Sequence, residues 1–213
     1  MVTITALTCQ IHPRFFWDKK YVDTSFEEPK LSEITAGKFV PPRRVVHLDL
    51  KGGPPLLSYL RSLLPLLGRS GATHLLVEYE DMFPHWGPLA NISATNAYTT
   101  QELAELLQLA RQNSLTVIPL VQTFGHLEWI LKLERFKHLR EEQPYPQSIC
   151  PSREGSLELL RLVLSQIMEL HQDSSHLHIG CDEVFQLGQC RQCVQRINRD
   201  NYNHRFPIPP QPP

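Results

Sequence analysis

Short apolar segments alternate with amphipathic segments along this chain, and this alternation limits the folds that it can adopt. The apolar segments have the length and composition of buried strands, and the segments between them carry leucines at three- and four-residue spacing, as helices do. The strand-like segments are residues 45–50, 74–79, 115–121 and 177–181. Strands that alternate with helices form βαβ units around a parallel sheet, so the sequence predicts an α/β fold.

The helical segments between these strands have recognisable ends. Residues 56–64 have helical spacing, and Pro65 is expected to kink or end that helix shortly before Gly68. Thr99 and Glu102 have the spacing of a capping box at the start of the next helix. We also predict helices over residues 127–140 and 152–171.

Ionisable side chains follow the predicted strands, at the points where the strands end. They are Asp49 and Lys51 after the first strand, Glu78, Glu80 and Asp81 after the second, His126 after the third, and Asp182 and Glu183 after the fourth. Parallel strands bring their carboxyl ends to one face of a sheet, where α/β barrels have their active sites. An open doubly wound sheet also binds ligands there, so this pattern alone does not select a barrel.

The adjacent acids Asp182 and Glu183 are the strongest candidates for catalysis. Two like charges so close cannot both ionise freely, so one of them is expected to serve as a general acid near neutral pH. Ideal strand alternation would direct them to opposite faces. We therefore expect the strand to end or bulge here, with one acid facing the barrel lumen and the other bending over the rim. The alternative is a pair of solvated acids after a strand.

Four motifs in order resemble those of family 20 glycoside hydrolases, the β-N-acetylhexosaminidases. They are HIGCDE at residues 178–183, VVHLDLKG at 45–52, VEYEDMFP at 77–84 and PLVQTFGH at 119–126. The resemblance covers roughly residues 44 to 188. It implies a (β/α)8 TIM barrel and a retaining, substrate-assisted hydrolysis of terminal β-linked N-acetylhexosamine, with no metal or organic cofactor.

The resemblance also implies roles for individual residues. Glu183 would be the acid/base, and Asp182 would orient the substrate's acetamido group. His126 matches a histidine that follows the third strand in the family, although Phe124 departs from the family's usual Pro-Gly-His; a packed or capping histidine is the alternative.

Further residues at the strand ends are candidates for binding the sugar. Asp49 is a candidate ligand of its hydroxyl groups, with strand-end capping as the alternative. Lys51 stands in for an arginine that many members carry near the end of the first strand, since Arg43 and Arg44 lie at its other end. Glu80 and Asp81 either reach the sugar or lie in a solvated loop.

The length of the chain accommodates only part of such a barrel. A complete barrel takes about 250 residues, whereas residues 44–183 supply four units of a 213-residue chain. We therefore predict an N-terminal extension (1–43), the N-terminal half of a catalytic barrel (44–188) and a divergent Pro-rich tail (189–213). The alternative function is a non-catalytic truncated form that keeps the Asp-Glu motif, and the exposed half-barrel is expected to self-associate.

Composition and charge exclude several classes of partner. The net charge of −1 gives no field that would attract nucleic acid or an anionic membrane, and no apolar run reaches the length of a membrane span. The first residues lack the features of a signal peptide. Five cysteines, an odd number without disulfide-framework spacing, indicate a reducing compartment. We therefore expect a cytoplasmic, and also nuclear, protein whose partners are glycoconjugates bearing N-acetylhexosamine.

Two metal sites are alternatives to this interpretation. Cys190 and Cys193, with Cys181 and His204, have some features of a zinc site, but one Cys-x-x-Cys pair without a second favours reduced surface thiols. His47, Asp49, His126 and Asp182 are candidate ligands of a metal-dependent hydrolase, but they lack the dense histidine set of such sites. No phosphate-binding glycine loop is present in the sequence.

Overall fold

A parallel sheet of three strands forms the centre of the molecule. The structure, a computed structural model, describes residues 40–199. The strands are β1 (Val45–Asp49), β2 (His74–Glu78) and β3 (Thr116–Leu120), in the order β1-β2-β3. The register pairs Asp49 with Glu78 and Glu78 with Leu120, so these three strand ends lie in one row.

Each strand is followed along the chain by one or more helices. They are α1 (Leu57–Arg69), α2 (Thr100–Gln112), α3 (Glu128–Leu131), α4 (Ser156–Leu170) and α5 (Arg191–Arg199), with 3-10 turns at Glu80–Met82, Gly87–Ile92 and Glu134–Leu139. The predicted capping box of α2 is confirmed, because Thr99 and Glu102 bond reciprocally.

The two faces of the sheet differ in exposure. On one face, Leu75 and Val77 of β2 are fully buried and share a core with Leu60 and Leu64 of α1. The other face carries His47, Leu76 and Ile118, which pair with one another across the three strands. The His47 side chain is 46% exposed, and Leu76 and Ile118 are half-buried. Helices therefore cover one face within the described part of the chain, and the opposite face, which would line the lumen of a barrel, stays partly open.

Three predictions about secondary structure are wrong in detail. Helix α1 does not end before Gly68 but continues through Pro65 to Arg69, with the buried side chains of Leu60 and Leu64 against the core. The alternative, a kink at Pro65, stays a prediction. Residues 127–140 do not form one helix. The Leu131 carbonyl, where α3 ends, instead accepts hydrogen bonds from the Arg140 guanidinium, with Nε at 3.0 Å and Nη2 at 2.8 Å.

The third difference concerns the predicted fourth strand. Its residues approach β3 as a single parallel bridge between Leu120 and His178, with hydrogen bonds from Val121 N to His178 O (2.9 Å) and from His178 N to Pro119 O (3.0 Å). The chain then leaves the extended conformation at Gly180, whose φ is +68°. A fourth segment thus lies beside β3, in the position that the prediction requires, without forming a regular strand.

No helix within residues 40–199 is long and apolar enough to cross a membrane. Most of the predicted N-terminal extension and the end of the predicted Pro-rich tail lie outside the described residues. The predicted domain boundaries therefore stay predictions.

Candidate active site

The acid pair lies on a turn that follows the short parallel bridge to β3. Cys181 and Glu183 have φ values of +77° and +47°, which extended chains do not adopt. The chain therefore leaves the extended conformation before the acids, as predicted, although the segment before them is a single bridge and not a strand. Gly180 has a φ of +68°, and a Cβ there would lie 3.0 Å from the Gln122 Cα, so glycine permits this turn to pass close to the loop after β3.

Both acids approach one imidazole nitrogen. His126 Nε2 lies 3.2 Å from Oε2 of Glu183 and 3.6 Å from Oδ2 of Asp182. The acids are 62% and 54% exposed, whereas His126 is 24% exposed. The sequence predicted that one acid would face the lumen and the other would bend over the rim. This prediction is wrong, because both carboxylates lie on the same side of the rim, beside His126. They stay open to solvent and to a ligand.

The backbone around His126 is fitted closely to the acid pair. His126 has a φ of +54°, and the preceding Gly125 packs directly against the acid-pair turn. A Cβ on Gly125 would lie 2.5 Å from the Asp182 carbonyl oxygen. The loop after β3 and the acid pair are therefore positioned by backbone contact as well as by the histidine.

Lys51, Glu80 and Asp81 lie in a second group of charges at the same rim. Lys51 Nζ lies 3.1 Å from both carboxylate oxygens of Glu80, although it donates with hydrogen-bond geometry only to Oε1. Asp81 Oδ2 lies 2.9 Å from Lys132 Nζ. Glu80 and Asp81 are 5% and 9% exposed, so the alternative of a solvated loop is wrong.

Burial changes the protonation of Glu80. It raises the pKa of this carboxyl to about 7, against the opposing effect of the Lys51 ammonium group. Glu80 also has a φ of +45°, which a nonglycine residue adopts only when its surroundings hold it. Asp49 lies beside this group, and its Oδ1 accepts the Lys51 backbone N–H at 3.0 Å. The strand-end capping considered for Asp49 is therefore present.

A third group is centred on Glu78 and includes Gln122, which the sequence did not indicate as a site residue. Glu78 Oε2 lies 3.0 Å from His47 Nε2, and Glu78 Oε1 accepts a hydrogen bond from Gln122 Nε2 at 2.9 Å. Burial acts to raise the pKa of Glu78, but the hydrogen bonds from His47 and Gln122 lower it overall. The sequence placed Glu78 at the end of the second strand without giving it a role, and strand register brings it beside Asp49 and Leu120.

The groups at the rim influence one another. The hydrogen bond to Glu78 raises the pKa of His47, and the negative charges of Glu78, Asp49 and Asp182 raise it further despite burial. Burial lowers the pKa of His178, against the effect of Asp182. The strand ends and the acid pair therefore form one electrostatic site.

The metal-dependent hydrolase considered from the sequence is not supported by this arrangement. His47 binds Glu78, Asp49 caps the Lys51 N–H, and His126 contacts the acid pair. Within the described ranges, the group of His, Cys, Asp and Glu residues close enough to hold a metal ion lies elsewhere, around Glu141 and Cys150.

Comparisons with known proteins agree with this architecture. Residues 61–208, more than half of the chain, match the profile described as glycosyl hydrolase family 20, catalytic domain. The chain is 52% identical to hexosaminidase D of Homo sapiens over 146 residues, which are 68% of this chain and 30% of that protein. It is 50% identical to hexosaminidase D of Bos taurus over 156 residues, which are 72% of this chain and 45% of that protein. The chain thus spans less than half the length of these relatives.

Solved structures show the same fold. The β-N-acetylhexosaminidase of Bacteroides fragilis superposes with a TM-score of 0.58 at 18% identity, over 75% of this chain and 35% of that one. A Vibrio harveyi exo-β-N-acetylglucosaminidase in complex with N-acetylglucosamine superposes with a TM-score of 0.60 at 20% identity, over 76% and 31% of the two chains. The profile match and this shared fold establish that the chain belongs to glycosyl hydrolase family 20.

Proposed function

We propose that this chain carries the N-terminal half of the catalytic barrel of a β-N-acetylhexosaminidase, which releases terminal non-reducing N-acetyl-D-hexosamine from β-linked glycoconjugates. The observation that carries the proposal is the convergence of Asp182 and Glu183 on His126, at the carboxyl-terminal rim of a parallel sheet. An exposed carboxylate pair at this rim is accessible to a sugar in a way that the buried acids Glu78 and Glu80 are not.

The first step of the proposed reaction forms a cyclic intermediate. The protonated carboxyl of Glu183 donates its proton to the glycosidic oxygen, and the aglycone leaves as an alcohol. The oxygen of the substrate's acetamido group attacks the anomeric carbon as that bond breaks, giving an oxazolinium ion. Asp182 accepts a hydrogen bond from the acetamido N–H and stabilises the developing positive charge.

The second step returns the proton and releases the sugar. The Glu183 carboxylate, now a base, takes a proton from water as the water oxygen attacks the anomeric carbon. The bond to the acetamido oxygen breaks, and the sugar leaves with its β configuration retained. In this scheme, His126 holds both carboxylates on the same side of the rim, where they meet one substrate.

The second group of charges would bind the sugar from the side of β1 and β2. The Lys51 side chain is 45% exposed and reaches the rim, so we propose that Lys51 and Asp49 contact sugar hydroxyls. Glu80 and Asp81 lie beneath and support the site by fixing Lys51 and Lys132. Because a buried carboxylate is costly without a partner, Glu80 and Asp81 hold the two lysines that they pair with in place.

Hydrolysis of matched aryl glycosides tests the proposal. The purified chain is incubated with aryl β-N-acetylglucosaminide, aryl β-N-acetylgalactosaminide and aryl β-glucoside, whose 2-hydroxyl replaces the acetamido group. We expect release of the aryl group from one or both acetamido sugars and none from the glucoside. Comparable release from the glucoside would contradict substrate assistance.

The alternative function is a non-catalytic half-barrel that binds a partner or a second copy of itself. It is favoured by the partly open face of the sheet, where Val45 is 46% exposed beside His47. Cooperative unfolding combined with no release from any glycoside would support this alternative. Self-association, the absence of nucleic-acid and membrane partners, and a cytoplasmic and nuclear location stay proposals that sedimentation, binding assays and fractionation can test.

A further inference from the structure

Three thiols and one carboxylate lie together in the interior, away from the acid pair. Cys150 is fully buried, Glu141, Cys190 and Cys193 are 1%, 7% and 4% exposed, and the three cysteines are not joined by disulfides. Two segments supply them: residues 141–150, and residues 190–193 at the start of α5. About forty residues separate the two segments, so folding and not local sequence brings these four side chains together.

The cysteine pairing considered from the sequence is therefore corrected. Cys181 does not join Cys190 and Cys193; its Sγ lies 3.3 Å from Thr123 Oγ1 near the acid pair. His204 lies outside the described residues. Cys190 and Cys193 are not surface thiols, because Cys150 and Glu141 enclose them with the rest of the interior.

The distances within the group fit one small tetrahedral cation. Cys150 Sγ lies 3.5 Å from Cys190 Sγ and 3.4 Å from Cys193 Sγ, and Cys193 Sγ lies 3.3 Å from Glu141 Oε2. All four ligand atoms lie within 4.8 Å of one another. Two sulfurs bound to tetrahedral zinc at about 2.3 Å each are separated by about 3.8 Å, close to the spacing seen here.

Glu141 is a buried carboxyl whose recorded hydrogen-bond donors are a backbone N–H and a thiol. Among residues 40–197, whose side chains the structure describes, no lysine, arginine or histidine forms an ion pair with Glu141, although the residue is almost fully buried. Its Oε1 accepts the Cys190 backbone N–H at 2.9 Å, which directs Oε2 towards the sulfurs. A carboxylate in such a position is costly unless a cation compensates it.

Neighbouring groups orient the sulfurs as second-shell partners of a metal do. The Cys193 backbone N–H donates to Cys190 Sγ at 3.4 Å, and the Cys193 thiol donates to Ser152 Oγ at 3.2 Å. A backbone N–H that donates to a cysteine sulfur is a common second-shell contact of a metal-bound thiolate. The Cys-x-x-Cys spacing of residues 190–193 is also a common arrangement of two zinc ligands.

We propose that Cys150, Cys190, Cys193 and Glu141 bind one Zn²⁺ ion in a closed, structural site. Three thiolates and a carboxylate are ligands that zinc accepts in tetrahedral geometry, and four protein ligands leave no open position for catalysis. The site joins residues 141–150 to the start of α5. Because Cys190 follows Glu183 by seven residues, the bound ion restrains the segment that leaves the acid pair.

The segment that supplies Glu141 and Cys150 is already ordered for this role. Arg140 and Ile149 form an antiparallel bridge, and Glu141 N donates to Ser148 O at 2.8 Å. Ser148 Oγ also donates to Gln186 Oε1 at 3.4 Å, which joins this segment to the residues that precede α5. Two ligands thus lie on an anchored hairpin-like segment, and the ion would fix the start of α5 to it.

Zinc content tests the proposal directly. The full chain is expressed with zinc, purified without chelator and measured by elemental analysis, and cobalt is then exchanged into the site. We expect about one zinc per chain and an intense near-ultraviolet absorption of thiolate-bound Co²⁺. Absence of both in the wild-type chain would overturn the proposal, and so would a disulfide among these cysteines, shown by intact mass and thiol labelling.

Variants identify the ligands. We expect Cys193→Ser and Glu141→Gln to bind zinc at least 10-fold more weakly than the wild type. Cys181→Ser and His204→Ala are matched controls, since they remove the other candidate ligands; both should retain one zinc. Loss of zinc in His204→Ala with retention in Glu141→Gln would overturn this ligand set. The cobalt spectrum of the wild type decides the outcome if a variant fails to fold.

Discussion

The acids after β2 and the acids after the fourth segment lie at the same rim, yet they are held in different ways. Glu78, Glu80 and Asp81 are buried, and each has a cationic or amide partner within about hydrogen-bond distance. Asp182 and Glu183 are more than half exposed and share one histidine. The first set is fixed by burial and pairing. The second is fixed by its backbone, which leaves the carboxylates accessible.

The largest expected effect concerns the buried set and pH. Burial raises the pKa of Glu80 from 4.5 to about 7, so the folded state binds a proton more tightly than the unfolded state does. Stability from this residue is therefore present at low pH and lost as pH rises from about 4.5 to 7. The free energy of unfolding of Glu80→Gln should therefore fall less than that of the wild type between pH 4.5 and 7, by up to about 3 kcal/mol.

Urea unfolding at several pH values measures this difference between wild type and variant. Glu134→Gln is the control, because Glu134 is 85% exposed and should leave the pH profile unchanged. A profile that Glu80→Gln does not alter would show that burial does not control this carboxyl.

The backbone support of the acid pair is tested by Gly125→Ala. The added Cβ would lie 2.5 Å from the Asp182 carbonyl oxygen, which cannot move without moving the acid pair. We expect a loss of about 1–3 kcal/mol in the free energy of unfolding, together with reduced glycoside hydrolysis. Gly53→Ala is the matched control, since nothing lies within 4 Å of its added Cβ. Equal stability of the two variants would contradict the close contact.

A smaller effect is expected for the pair formed by His47 and Glu78. The pKa of His47 is raised from 6.5, so its contribution is complete below that pH and fades as pH rises through the folded value. The pKa of Glu78 is lowered from 4.5, so its contribution is present above 4.5 and fades below. A double-mutant cycle with His47→Gln and Glu78→Gln should give a coupling of about 1 kcal/mol between about pH 4.5 and 6.5. Coupling that strengthens above pH 8 would contradict this assignment.

The smallest effect on stability is expected at the acid pair itself. Asp182→Asn and Glu183→Gln change exposed side chains, so each should alter the free energy of unfolding by less than about 0.5 kcal/mol. Chemical denaturation of the three proteins measures this. A loss comparable to that of Gly125→Ala would contradict this, because it would mean that the exposed acids stabilise the fold as the buried set does.

Local patterns were the part of this structure that the sequence predicted well. The capping box at Thr99 and the three strands follow from spacing and composition within a few residues. The path of the fourth segment does not follow from spacing, because Gly180 and Cys181 adopt positive φ values where the alternation of residues indicates an extended chain. Helix α1 likewise continues past Pro65 to Arg69, because its buried leucines pack against the core.

Contacts between distant segments explain the remaining omissions. Glu78, His47 and Gln122 meet because of strand register and chain path, which spacing along one segment does not reveal. The partners of Cys190 and Cys193 lie about forty residues earlier, so the nearer Cys181 was the more obvious candidate in the sequence. The acids at 182 and 183 were identified because they are adjacent at the end of one segment.

The most direct test of the proposed function compares the wild-type chain with Glu183→Gln on an aryl β-N-acetylhexosaminide. If Glu183 is the acid/base, the wild type hydrolyses the substrate and kcat falls by about 10²–10⁴-fold in the variant, with the unfolding transition unchanged. Hydrolysis at the same rate by both proteins would show that Glu183 does not carry the reaction, and would contradict the assignment of the acid pair as the catalytic centre.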